Sequence, residues 1–231
     1  REGKPLSPPG DIYGNLFIAE GLQELAAVKP GNITYWNMAK DILFGCVKAY
    51  EDPEYDYKVT YLYDPPPAIN GPRVLGHWMV LLRLCSQMLE KVPDNDIESV
   101  LKRSVNAVMK SHFNDDFNLQ IEVVSHDLSK AGGDYDQFCY IGHAIETLWM
   151  VMYEAVRTKN TELYNLAKER FRRHIEVAWD DIYGGFFRCI DNVEKDIWKV
   201  DKVLWLQEEV LIGTMCVIEH TGDQWAKDWF L

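Results

Sequence analysis

Apolar residues return every three or four positions through segment after segment of this chain, and that period admits little but helix packed on helix. It runs through residues 15–28, 34–51, 77–92, 95–112, 143–158, 161–178 and 202–219, and a further helix opens at Gln224. Start and stop chemistry supports the spacing. Asn95 with Glu98 three residues on forms a capping box, Thr161 stands where an N-cap belongs, and Gly222 can take the left-handed conformation that ends one helix before Asp223 opens the next. Short connections at 93–94 and 159–160 alternate with long ones at 52–76, 113–142 and 179–201. That alternation suits a ring of helical hairpins, with small turns on one face and functional loops on the other. Strand-like pieces at 120–124 and 185–190 read as small β-hairpins in the long loops. The expected fold is all-α, a single domain over residues 1–231. The chain opens on Arg1 and stops as the Gln224 helix begins, so it reads as the internal part of a longer protein, truncated at both ends.

Composition narrows the function by exclusion. With 36 acidic side chains against 24 basic ones and a net charge of -12, there is no basic face for a phosphate backbone or an anionic membrane. No apolar run approaches the roughly 20 residues of a bilayer span. Cys46, Cys85, Cys139, Cys189 and Cys216 are widely spaced, odd in number and without a CxxC, so they read as reduced, buried thiols of a cytoplasmic protein. No phosphate loop, dinucleotide fingerprint, nucleophile elbow or zinc helix is present, and neither metal nor cofactor is expected.

Three clusters can carry chemistry. Gly142 opens a helix and puts His143 in its first turn, where the helix dipole is expected to lower the imidazole pKa and favour the proton-accepting form. Glu146, three residues on, shares that face and can orient the ring or bind a hydroxyl. Lys202, Trp205 and Glu209, spaced by three and four, are expected on one stripe of an otherwise apolar helix, where an indole beside polar groups suits a sugar ring. Each pattern also has a plain reading, as a cap or a core helix with one solvated edge. Residues 179–187 hold a tight Gly184-Gly185 turn before a strand, and His126-Asp127 with Asp134 lie in a long loop without an assigned role. His77, His112, His174 and His220 fall at helix ends or on polar faces and receive no chemistry.

Taken together these segments resemble the N-acylglucosamine 2-epimerase and cellobiose 2-epimerase family. The residues that carry the resemblance are Asp11-Ile12-Tyr13-Gly14 with Phe17 and Ala19-Glu20-Gly21-Leu22; Gly142-His143-Ala144-Ile145-Glu146; Trp179-Asp180 with Gly184-Gly185-Phe186; and Lys202, Trp205, Gln207 and Glu209, then Thr221-Gly222-Asp223. The resemblance implies an (α/α)6 toroid that epimerises C2 of a reducing sugar or interconverts aldose and ketose, on a small-molecule substrate with no nucleic-acid or membrane partner. It makes His143 an acid/base with Glu146 as its partner and places Tyr13, Lys202, Trp205 and Glu209 around the sugar. The family's arginine of an early helix and its second histidine near the C-terminus fall outside these residues; Ile141 stands where the family often has proline, and Leu204 replaces the first of two tryptophans. Oligomeric state stays open, with a homodimer as one option. A glycoside hydrolase or lyase on the same toroid, with Asp134, Asp136 and Glu122 as its loop carboxylates, and a non-catalytic sugar-binding module are the alternatives.

Overall fold

A computed structural model describes residues 11–28, 33–55 and 71–231. Among them are eight α-helices: α1 (Tyr13–Val28), α2 (Ile33–Glu51), α3 (Leu75–Lys91), α4 (Asn95–Asn106), α5 (Ile141–Arg157), α6 (Thr161–Ala178), α7 (Leu204–His220) and α8 (Gln224–Phe230). Each odd helix packs on the even helix that follows it, and also on the next odd one, so that α1, α3, α5 and α7 form an inner layer with the even helices outside. This is an arc of the (α/α)6 toroid, the fold expected.

The burial pattern explains the layers. α3 is buried almost all round, from Leu75 through Leu82 and on to Leu89, as a helix with neighbours on every side must be. α4 buries only Ile97, Val100, Leu101 and Ser104, a single stripe. α1 and α7, at the edges of the arc, leave Phe17, Ile18, Leu211, Ile212 and Met215 exposed. No helix among the described residues is long and apolar enough to cross a membrane.

Several boundaries move by a residue or two for local reasons. The cap of α4 is Asp94, not Asn95: its carboxylate accepts from the amides of Asp96 and Ile97. Asn160, not Thr161, caps α6 by accepting from the Leu163 amide at 3.0 Å. In both helices the residue one position earlier lies outside the helical conformation and carries the short acceptor that a cap needs. α4 ends at Asn106 and passes into a π-helical turn, Ala107–Ser111, whose Met109 carbonyl accepts from Arg170 at 2.6 Å. Gly222 does take a positive φ, 68°, and closes α7.

The long loops carry three short antiparallel pairs. β1 (Arg73–Val74) pairs with β4 (Val123–Val124), β2 (Phe113–Asn114) with β3 (Leu119–Gln120), and β5 (Cys189–Asn192) with β6 (Ile197–Lys199). The single hairpin expected at 120–124 is thus split between two partners, one of them from before α3. These loops gather over the N-terminal ends of the inner helices: the Leu75 amide donates to the Glu122 carbonyl at 2.8 Å and the Gly142 amide to the Arg188 carbonyl at 3.3 Å.

Candidate active site

The first turns of the inner helices converge under that loop face. Tyr13 is the first residue of α1, Gly76 and His77 are the second and third of α3, Gly142 and His143 the second and third of α5, and Trp205 the second of α7. The glycines make the approach possible. A Cβ at Gly76 would sit 1.9 Å from the Tyr13 hydroxyl and about 3.1 Å from the His143 ring, and one at Gly142 would sit 2.4 Å from the Trp205 indole.

His143 donates through Nδ1 to Glu122 Oε1 at 3.0 Å, which leaves Nε2 as the basic nitrogen. Glu122 is fully buried, on a segment held from every side. The Gln120 amide donates to His174 Nε2 at 2.9 Å, the Gln120 side chain to the Val108 carbonyl at 2.9 Å, His112 Nδ1 to the Ile121 carbonyl at 3.0 Å, and the Glu122 amide to the Phe138 carbonyl at 3.0 Å. The ring stacks on Tyr140 at 4.2 Å between centroids and lies 6.1 Å from Trp205, which is nearly parallel to Tyr140.

Burial works against a charged imidazole, yet the charge and hydrogen bond of Glu122, helped by Glu146, outweigh it and raise the His143 pKa above its ordinary value. The lowered pKa expected from the helix dipole is therefore corrected: a buried carboxylate in contact is stronger than half a charge at a helix end. The ring contact expected of Glu146 is made by Glu122 instead. Burial, with the charge of Glu209 on α7, pushes the Glu146 pKa to about 7, with His143 and Arg83 pulling it back. Glu209 accepts from Trp149 Nε1 at 2.6 Å; burial raises its pKa as well.

Lys202 stands apart from this group. It precedes α7 by two residues and so leaves the predicted stripe, and its ammonium binds the Asp180 carboxylate and, at 2.5 Å, the Gly184 carbonyl. Gln207 grips the same turn, accepting from the Phe186 amide at 2.9 Å and donating to its carbonyl at 3.1 Å. The segment from Lys202 to Glu209 is thus divided: Lys202 and Gln207 brace a loop in which Gly184 and Gly185 take positive φ, while Trp205 meets Gly142 and Glu209 meets Trp149. The loop acids offered for hydrolysis are engaged locally: Asp134 accepts from Asn192 at 3.1 Å and Asp136 from the Gly132 amide at 3.0 Å. Among the described residues no three of His, Cys, Asp and Glu could share a metal ion.

Four residues went unread in the sequence. Glu122 gave no signal beyond being a loop acid, because its role depends on strand pairing. His77, His112 and His174 are wholly buried, against the expectation of helix ends and polar faces. His77 lies 4.5 Å from Tyr13 and 5.1 Å from Tyr50, and burial, His143 and Arg73 depress its pKa to about 3. The duplicated apolar-Gly-His at Leu75-Gly76-His77 and Ile141-Gly142-His143 was the available clue.

The profile of the N-acylglucosamine 2-epimerase (GlcNAc 2-epimerase) family matches residues 86–231. The N-acylglucosamine 2-epimerase of Bos taurus is 22% identical over 240 residues, covering 96% of this chain and 53% of the relative. The chain therefore spans about half the length of the curated relatives it matches. Among solved structures, a sugar epimerase from a ruminal bacterium superposes with a TM-score of 0.79 at 17% identity over 99% of this chain and 59% of that one. A D-mannose isomerase does so with a TM-score of 0.73 at 16% identity over 95% and 57%.

Proposed function

The chain belongs to the N-acylglucosamine 2-epimerase family, and from that premise we propose that the protein is a sugar 2-epimerase or aldose-ketose isomerase in which His143 moves the proton at C2. The observation that carries this is the buried Glu122 fixing Nδ1 of an imidazole that stacks on Tyr140 and has Trp205 as a further aromatic neighbour.

In the open-chain sugar the carbonyl acidifies the adjacent C2-H. Nε2 of His143 takes that proton, the C-H pair becomes the C1-C2 double bond of an enediolate, and the carbonyl oxygen takes the negative charge. Glu122 stabilises the imidazolium so formed, as a buried carboxylate does for a paired histidine. Passing the O2 proton to O1 and returning the carbon-bound proton to C1 gives a ketose. Returning one to C2 from the opposite face gives the epimer and needs a second acid there. Trp205 offers its apolar face to the C-H side of the ring, and Glu146 and Glu209, with pKa values raised, can meet its hydroxyls.

D-mannose, N-acetylglucosamine and cellobiose are the sugars to offer in deuterated water. Deuterium should enter C2 with the wild-type protein, and His143→Ala should slow it by about 10²- to 10⁴-fold. Incorporation undiminished in the variant would overturn the role of His143.

A further inference from the structure

Below the first turns that meet at His143, the inner layer carries an arginine paired with a carboxylate of the next helix. Arg83 lies on α3, six residues past His77 and so about 9 Å further along the helix axis. It reaches toward α1, where Nε meets Glu20 Oε1 at 2.9 Å. On its other side its charge is felt by Glu146 of α5 and Glu209 of α7. Seven residues past Gly76, Arg83 returns to the face of α3 that meets Tyr13 of α1 and the His143 ring of α5. Among the described residues its Nη nitrogens make no hydrogen bond, while Glu20 is itself fixed by Gln87 at 3.1 Å.

We propose that Arg83 is a substrate-binding residue at the floor of the hollow, presenting its two Nη groups to two oxygens of the sugar while Glu20 holds Nε. This rests on the reading of the hollow as a sugar site. A guanidinium fork suits a pair of neighbouring oxygens, and being held at Nε it is already oriented before the sugar arrives. Glu146 and Glu209 stand beside it as acceptors, or as donors when protonated, so the floor can match several hydroxyls at once. The three acids around one cation also disfavour a sugar carrying a carboxylate or phosphate at that end.

The test is KM and kcat of the full-length protein on D-mannose, N-acetylglucosamine and cellobiose. Arg83→Met should raise KM about tenfold to a hundredfold, the worth of hydrogen bonds to a charged group, and leave kcat within a few-fold. Arg83→Lys keeps the charge and the stem but not the fork, so KM should stay raised several-fold with the melting temperature unchanged; it serves as the deciding variant if methionine unfolds the protein. Glu20→Gln should fall between lysine and wild type. A KM unchanged in Arg83→Lys and Arg83→Met, with exchange still lost in His143→Ala, would overturn the role of Arg83 and leave the sugar site standing. Exchange undiminished in His143→Ala, or none of the three sugars turned over by the wild type, would overturn both.

Discussion

At the scale of single residues, the site depends on a carboxylate placed where water is scarce. Glu122 is fully buried, and its contact with His143 is what reverses the effect of burial on the imidazole. Replacing it by glutamine keeps an acceptor for Nδ1 but removes the charge. Burial is then opposed only by the weaker influence of Glu146, and the His143 pKa falls. Because the base form is the neutral one, the acid limb of kcat/KM in Glu122→Gln should shift to lower pH by about one unit or more, while the plateau drops at least about tenfold as the imidazolium loses its partner. A pH profile of both proteins checks the two effects separately; a limb that stays in place would mean that Glu122 does not set the pKa. The sequence showed His143 and its helix turn plainly. It could not show Glu122, which lies 21 positions away and reaches the ring only because β4 pairs with β1.

At the scale of elements, helix starts are what assemble the site, and glycine at the second position is what lets them close. Gly142 is the sharper case. Alanine there gains up to about 1 kcal/mol in helix propensity, but its Cβ would lie 2.4 Å from Trp205 Cη2. The clash is with the far end of an indole, so the ring moves before the backbone does. Gly142→Ala should cost a net 1 to 3 kcal/mol or so, read from the denaturation midpoint, with an altered near-UV tryptophan signal. A stabilised variant with an unchanged signal would contradict the packing. The helices themselves were legible throughout, since a 3.6-residue period is a local property. The caps at Asp94 and Asn160 were missed by one residue because asparagine and threonine are good caps too, and only backbone geometry decides between neighbours. The pairing of β1 with β4 was invisible, two residues being too short to leave a pattern.

At the scale of the whole molecule, His77, His112 and His174 tie inner helices, outer helices and the Glu122 segment together, and all three are buried neutral. Burial depresses their pKa values to about 3, 4 and 4. A histidine whose folded pKa lies below its unfolded value of about 6.5 contributes stability that is complete above 6.5 and drains as pH falls toward the folded value. Each group gives about 1.4 kcal/mol per pH unit in that window. Glu146 works the other way between its ordinary value and about 7, since its raised pKa makes the folded state the better proton binder there. Glu209, its pKa also raised by burial, acts in the same sense as Glu146, and three histidines still outweigh two carboxyls: the melting temperature should rise from pH 4.5 to 6.5, and His174→Asn should flatten the rise. An unchanged slope in that variant would show that His174 is not buried neutral. The sequence by itself determined the helices, their pairing into hairpins and the motif around His143, because periodicity, caps and turns are written within a few neighbouring positions. Only the tertiary structure decided that Glu122 rather than Glu146 holds the imidazole, that Lys202 braces a loop while Trp205 approaches Gly142 and the His143 ring, and that Arg83 of α3 pairs with Glu20 of α1. Those are contacts between chain positions far apart, and the charge each group carries follows from how much water the assembled fold leaves around it.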